Sequence, residues 1–406
     1  MTLVVQKYGG TSVADAERIR RVAQRIAARA ERGDHVIAVV SAMGDRTDAL
    51  YALARQVSTE PHPREMDALL STGEIVSSTL LSMALHDLGR YAVSLTGAQA
   101  GIRTDAVHGR ARISGIDTTR LEVELAAGHV VIVAGFQGVS DDLDVTTLGR
   151  GASDTSAVAL AAGLHADACE IYTDVAGVYT ADPRICPQAR PLRDIGYDEM
   201  LELATTGARV VHARAVEIAA LHDVEVLVTS SLEDAPGTLI HRETTMEQAN
   251  KVRGIAHQDN VAKVTVRGVP DRPGIAAHLF EPLAAAAISV DTIVQNASVE
   301  QLTDLTFTVE RNDLDAAVRV VEEMLPTINA NEVIADADLG SVSIVGTGMA
   351  TSPGYAARMF RVLYEHGINI ELISTSEIRI TCIVRADQVG EAVRALHDGF
   401  ALDRTD

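Results

Sequence analysis

The chain repeats itself near its C-terminal end. VTVRGVPDRPGIAAHLFEPLAAAAISVDTI (Val264–Ile293) aligns with VSIVGTGMATSPGYAARMFRVLYEHGINIELI (Val342–Ile373), with a two-residue length difference before the proline. From there Pro273/Pro353, Gly274/Gly354, Phe280/Phe360, Ile288/Ile368 and Ile293/Ile373 coincide. Each copy reads as strand, Pro-Gly turn, amphipathic helix and strand. Each then continues with another strand, a second helix and a last strand (Thr303–Val309 and Asp313–Met324; Ile378–Val384 and Gln388–Phe400). The pattern predicts two small ferredoxin-like βαββαβ modules. Paired modules of this size behind an enzyme-sized domain point to sensing.

Upstream of the repeat, short β-branched runs alternate with longer helical patterns. Leu3 to Val5 reads as a strand, Ile19, Val22, Ile26 and Ala30 recur at helical spacing until Gly33, and Val36 to Val40 reads as the next strand. Further strands are expected at Ala92–Leu95, Val130–Ala134, Glu170–Thr173 and Val224–Val228, with helices near 74–88, 154–164 and 198–222. This alternation predicts an α/β domain, a mainly parallel sheet sandwiched by helices. Pro236-Gly237 and the polar stretch His241 to Lys251 mark a change of texture, so the expected domains are 1–245, 263–335 and 340–406.

Charge and cysteine content narrow the partners. Lys plus Arg number 35 against 56 Asp plus Glu, a formal net charge of -21, which repels phosphate backbones and anionic bilayers. Nucleic acid and membrane are therefore not expected partners. Cys169, Cys186 and Cys382 are odd in number, far apart and without CxxC spacing, which argues against a disulfide framework or a structural zinc site. The N-terminal MTLVVQKYGG has no basic stretch followed by a long apolar run, and no segment reads as the roughly 18–20 apolar residues of a membrane span. The expected location is the cytoplasm.

Several loops carry chemistry. KYGGTS (Lys7–Ser12) follows the first strand; Gly9 and Gly10 let backbone N–H groups approach a phosphate, although the spacing is not that of a Walker A loop. In LGRGASDTSAVALAAGLHA (Leu148–Ala166), Gly149 and Gly151 flank Arg150, and Ser153-Asp154 stand where a helix begins. Asp154 reads equally as a first-turn acid, while an arginine beside a helix start suits a small carboxylate. IYTDVAGVYTADPR (Ile171–Arg184) leaves a strand and puts Thr173, Asp174, Tyr179 and Arg184 in one loop. Loops at the carboxyl ends of parallel strands are where α/β folds bind ligands. SAMGDRTD (Ser41–Asp48), STGE (Ser71–Glu74) and AGFQG (Ala134–Gly138) complete the set, all expected at strand exits or helix starts.

With KYGGTS, VSAMG, STGE, GFQG, GRGASDT, TDVAGVYTADPR, YDEMLELATTGARVVHARAVE, GVPDRPG, VQN and NIELISTSEI in order, the sequence resembles the monofunctional aspartate kinases over essentially its whole length. These are members of the amino acid kinase family with a C-terminal pair of ACT domains. The resemblance implies transfer of the γ-phosphoryl group of ATP, with Mg²⁺, to the β-carboxylate of L-aspartate, at the head of lysine, threonine and methionine synthesis. That carboxylate is ionised at neutral pH, with a pKa near 3.9, so the nucleophile needs no general base. By the same resemblance Lys7 and Asp154 are the catalytic residues. Gly9 and Gly10 bring up close backbone, and Thr47, Glu74, Phe136, Arg150 and Ser153 form the aspartate pocket. Arg150 grips a substrate carboxylate there, and Glu74 answers the ammonium. Thr173, Asp174, Tyr179, Arg184 and Arg209 match the nucleotide side, and Mg²⁺ is held by phosphates and water without a dedicated ligand cluster. Four residues depart from the family pattern: Ala152 for glycine, Tyr8 for phenylalanine, Arg209 for lysine and Ala213 for proline. The alternative from another class is a kinase-like amino acid sensor without turnover.

The ACT resemblance also implies control. Asp271 lies in the turn before Pro273-Gly274, Gln295 and Asn296 leave the following strand, and Asn369 and Ile370 occupy the equivalent strand of the second copy. The family places an effector amino acid between such elements of two chains. Threonine fits the Asp, helix-start and Gln/Asn chemistry, with Gly274 opening the helix; Asp291 and Glu377, with Ser376 beside them, add two carboxylates suited to a lysine ammonium. A homodimer through the ACT domains is expected, and an internal start at Met246 would give a separate regulatory chain.

Overall fold

The structure is a computed structural model that describes residues 2–208, 210–242, 252–296, 301–349 and 352–404. Arg209 and Met246 lie outside the described residues. The chain folds as two compact units. The first holds everything up to Tyr179, Pro191–Thr205 and the described residues between 210 and 242; the second holds Thr180–Arg190, Thr206–Ala208 and the described residues from 252 onward.

In the first unit the chain runs β1 (Leu3–Tyr8), α1 (Ala16–Glu31), β2 (His35–Val40), α2 (Arg46–Val57), α3 (Pro63–Asp87), β3 (Ala92–Leu95), β4 (Ile102–Thr104) and β5 (Ile113–Ile116). It continues through α4 (Thr119–Ala126), β6 (Val130–Ala134), β7 (Gln137–Val139), β8 (Val145–Thr147), α5 (Ser153–Gly163) and β9 (Ala168–Thr173). It closes with β10 (Asp194–Gly196), α6 (Tyr197–Thr205), α7 (Ala213–His222), β11 (Val226–Ser230) and β12 (Thr238–His241). The main sheet has eight strands in the order β10-β12-β11-β9-β1-β2-β6-β3, and only the β11–β12 pair is antiparallel. The β-branched runs of β2 and β6 are buried almost throughout, as strands covered on both faces should be. A small second sheet, β5-β4-β7-β8, stands apart from it.

Three expectations are corrected here. STGE is not a loop at a helix start; it lies inside α3, which Pro63 opens at its first position well before the expected residue 74. The single helix expected over 198–222 is two helices, because Gly207 takes φ +119° and packs so tightly on the His257 carbonyl that no side chain would fit. Lastly, α3 with its 25 residues is long and apolar enough to cross a membrane, against the expectation that no segment is. Its packed face buries Asp67, Glu74, Ser77 and Ser78, which marks the core helix of a folded domain.

The second unit contains β13 (Gly254–Pro270), α8 (Ile275–Ala285), β14 (Ile293–Gln295), β15 (Leu302–Glu310), α9 (Leu314–Ile328), β16 (Glu332–Val345), α10 (Tyr355–Glu365), β17 (Leu372–Thr375), β18 (Arg379–Arg385) and α11 (Val389–Gly399). They form one antiparallel sheet, β14-β15-β13-β16-β18-β17. Two long strands serve both modules. Residues 261–270 of β13 pair with β15 in the first, whereas Gly254–Gln258 pair with Ser341–Val345 of β16 in the second. The last strand expected after the second helix of the second copy is therefore absent among the described residues, and its place is filled from before the first copy. Val264, Val266, Leu279 and Phe307 centre one core, and Val342, Leu363, Cys382 and Leu396 the other. Ala181 and Cys186, from the Thr180–Arg190 excursion, belong to that second core.

Candidate active site

The site stands at the carboxyl ends of β1, β2, β6 and β9, where the parallel strands release the chain into loops. Lys7, next to the last residue of β1, is flanked in register by Val39 of β2 and Ile171 of β9. Its Nζ lies 2.6 Å from Asp154 Oδ1, and both side chains are nearly buried. Asp154 is in the first turn of α5, whose cap residue Ala152 contributes no side-chain hydrogen bond. Its second oxygen accepts the His212 backbone N–H at 3.0 Å, and His212 in turn caps α7 by accepting from Arg214 N. Burial lowers the His212 pKa, against the pull of the Asp154 charge. Lys7, Asp154 and the start of α7 thus form one rigid corner.

Backbone approach matters most at Gly10, where a Cβ would stand 2.8 Å from the Ala42 carbonyl. Gly10 O accepts from Gly44 N, fastening the turn after β1 to the turn after β2. Gly73 of α3 is equally constrained, since a Cβ there would meet Ala42 Cβ at 2.8 Å. That contact lets α3 bring Glu74 under the turn. Beside Gly9, the position a Cβ would take is 3.5 Å from Lys7 Nζ.

Next to this corner is a cavity of about 220 Å³ lined by Gly10, Thr47, Glu74, Phe136, Arg150 and Ser153, together with the Ser41–Asp48 turn. It brings together all five residues expected for an aspartate pocket, drawn from α2, α3, the β6–β7 turn, the β8–α5 loop and the start of α5. Phe136 takes φ +68°, unusual for a residue with a side chain, and Leu148 N and Ser156 Oγ bond its carbonyl and N–H. Glu74 is 3 % exposed. One carboxylate oxygen accepts from Ala42 N at 3.0 Å, and the other is buried without a hydrogen-bond partner among the described residues. Burial pushes its pKa up to about 7 despite the Ala42 N–H, which pulls the other way. Arg150 is 66 % exposed, paired with Asp48 at 2.6 Å and lying over the Tyr51 ring.

The expected nucleotide residues are less gathered. Thr173 ends β9 with its hydroxyl on Asp174, its carbonyl accepts from Ser231, and Asp174 is exposed. Tyr179 bridges to Pro191 across the base of a loop. Arg184 is not among the residues lining the cavity: it falls in the second unit, and its guanidinium is turned back on the Asp182 carboxylate. Arg209 lies outside the described residues.

The three departures from the family pattern that fall on described residues fit without strain. The Ala152 methyl is buried against Ala111 and Leu148 at a negative φ. The Tyr8 ring stacks on Tyr172 on the sheet face opposite Lys7, and its hydroxyl donates to Gln6, which donates to Glu170. Ala213 opens α7 at the position where proline is also at home.

In the second unit the effector candidates do not converge. Asp271 sits in the turn after β13 and Gly274 caps α8 at φ +89°. Asp291, Gln295 and Asn296 flank or end β14; Asn369, Ile370, Ser376 and Glu377 flank β17. β14 and β17 are opposite edges of the six-stranded sheet.

A family model described as the amino acid kinase family matches residues 2–230, and an ACT domain model matches 264–325 and 342–400. The chain is 50 % identical to an aspartokinase of Pseudomonas aeruginosa, with 99 % of this chain and 98 % of that one covered. Two crystal structures of Escherichia coli aspartokinase III, each 27 % identical, cover 98 % of this chain and are themselves 99 % covered. The form described as holding aspartate and ADP (R-state) matches with a TM-score of 0.82, and the form with lysine and aspartate (T-state) with 0.74. The chain belongs to the amino acid kinase family, among the aspartokinases that carry ACT domains.

Proposed function

We propose that this enzyme transfers the γ-phosphoryl group of ATP to the β-carboxylate of L-aspartate, giving 4-phospho-L-aspartate. The observation that carries the reading is the cavity beside Lys7. Its buried acceptor on Glu74, unpaired among the described residues, suits a substrate ammonium, and its exposed cation, Arg150, suits a carboxylate. Aspartate lying between them presents its other carboxylate towards Lys7. That group is ionised at neutral pH, so catalysis reduces to aligning it with the phosphate and stabilising charge in transit. Lys7 supplies the positive charge, the Gly9–Gly10 turn the close N–H donors, and Asp154 holds the ammonium of Lys7 in place. Thr173, Asp174, Tyr179, Arg184 and Arg209 serve the nucleotide side. Asp174, exposed just past the end of β9, would serve as a single oxygen ligand to a mostly hydrated Mg²⁺, which when bound would neutralise phosphate charge.

The regulatory reading follows the second unit. ACT domains over 263–335 and 340–406 bind threonine, lysine or both, between sheet edges of two chains, and inhibit the catalytic domain over 1–245. Three buried free cysteines are consistent with work in the cytoplasm. A hydroxamate assay with aspartate and MgATP tests the activity: turnover dependent on both substrates is expected. Aspartate binding by calorimetry without turnover would instead identify a silent sensor.

A further inference from the structure

The loop that carries Arg150 is short and unusually well anchored. Just before it, Thr147 and Leu148 are almost fully buried. Thr147 Oγ1 donates to Asp67 at 2.5 Å, Thr147 O accepts from Ala111 N, and Leu148 N donates to Phe136 O. Leu148 O accepts Arg214 Nη1 at 2.6 Å, and Arg214 Nη2 reaches Ala111 O at 2.9 Å. Asp67 is 0 % exposed and collects two more donors, His108 Nδ1 at 2.8 Å and Gly109 N at 3.0 Å. It therefore ties α3, the β4–β5 loop and the end of β8 to a single carboxylate. On the far side of Arg150, Asp154 is held by Lys7 and His212 N. Between the two clamps only Gly149, Arg150, Gly151, Ala152 and Ser153 span the gap, and both glycines take positive φ.

None of Asp67, His108 and Arg214 lines the cavity. We propose that Asp67 and Arg214 are positioning residues that fix where Arg150 stands and thereby set the affinity for the substrate's carboxylate. Placing a buried carboxylate and a guanidinium against backbone segments far apart in sequence is costly unless every donor is met, and here each one named is met. The consequence is a fixed start for a short backbone arc that must put a guanidinium within hydrogen-bond reach of a ligand. An ångström of drift there costs up to about 100-fold.

The inference rests on the reading of Arg150 given above, so its test includes that residue. Asp67→Asn keeps size and shape but turns one acceptor into a donor facing His108, Gly109 or Thr147. It should raise the aspartate KM about tenfold while leaving the ATP KM within about twofold, as drift of a substrate arm would. Arg214→Lys, which can reach only one of the two carbonyls, should shift the same constant in the same direction by less. In an Arg150→Ala background, Asp67→Asn should add nothing further. An unchanged aspartate KM, an equal rise for both substrates, or an undiminished effect in the Arg150→Ala background would overturn the proposal. Should Arg150→Ala itself leave the aspartate KM unmoved, the reading of Arg150 falls and this inference with it. If Asp67→Asn does not fold, Arg214→Lys and the isosteric Thr147→Val decide by the same measurements.

Discussion

The two units treat their polar residues in opposite ways. In the first, side chains scattered over more than a hundred residues converge around one cavity and one buried ion pair. In the second, the polar residues suited to an effector end up at opposite edges of one sheet, with β15, β13, β16 and β18 between them. Five strand spacings of about 4.8 Å separate those edges by roughly 24 Å, far beyond the span of an amino acid. Parallel βα units deliver several loops to one end of one sheet, so a single chain completes a site. An antiparallel sheet with free edges completes one only when another edge arrives. The comparison thus fits the proposed division, with catalysis within one chain and effector binding between two.

The strongest way to break the first half is Lys7→Met. If Lys7 supplies charge to the transferring phosphoryl group, kcat should fall by about a thousandfold or more, the scale of a lost electrostatic donor. The ion pair adds a second consequence. Asp154 would keep only the His212 N–H, and stranding a buried carboxylate costs roughly 3 kcal/mol, so a lower melting temperature should accompany the loss. Lys7→Met/Asp154→Asn should recover stability without recovering turnover. Near-normal kcat in the single variant would reduce Lys7 to a turn residue.

Glu74 sharpens the same half through pH. In the empty cavity burial raises its pKa to about 7, so below that value the carboxyl is protonated and cannot answer an ammonium. Docking aspartate must expel the proton, and affinity should rise with pH through 7 and level off above, by up to about tenfold per unit on the acid side. The sign for folding is opposite: stability from this raised carboxyl is full below its unfolded pKa of 4.5 and is lost as pH climbs through about 7. Calorimetry at pH 6, 7 and 8 reads both the affinity and the proton released. Glu74→Gln should raise the aspartate KM well above any change for ATP, a cost on the order of 2–5 kcal/mol, and flatten the pH profile. A profile unchanged in Glu74→Gln would show that the ammonium is met elsewhere.

Much of this contrast is legible in the residues. β3 and β6 begin and end at the residues expected for them, and the duplicated Pro-Gly turns mark α8 and α10. Two of the misses share a cause, which is that the deciding partner lies far along the chain. Gly207 breaks a helix because of a carbonyl at His257, and the last strand of the second module comes from Gly254–Gln258. Asp67 and Arg214 escape notice for a different reason: they act on backbone carbonyls and loop donors, which leave no motif. One signal is present, since Asp67 lies seven residues before Glu74 on the buried face of α3, where a second acid needs explaining.

The smallest effect tests the second half of the comparison, and it separates assembly from recognition. Ile293 on β14 and Ile373 on β17 are 51 % and 44 % exposed, apolar side chains on free edges of the kind a partner sheet covers. Ile293→Lys and Ile373→Lys place a charge in that contact and should give a monomer by light scattering, with uninhibited kcat within about twofold because the catalytic cavity is complete in one chain. Inhibition by threonine or lysine should disappear with the dimer. Gln295→Ala is subtler: it removes an amide from the end of β14 without charging the edge, so the dimer should persist. Its effect should fall on threonine inhibition alone, weakened about fivefold or more, at the lower end of the 1–3 kcal/mol typical of coupling between sites. By linkage, saturating aspartate and ATP should weaken threonine binding by the same factor that threonine weakens theirs. A monomeric edge variant that threonine or lysine still inhibits fully would mean the effector site is built within one chain. The residues at the two edges would then be satisfying strand ends and nothing more, as buried and half-buried polar groups ordinarily do.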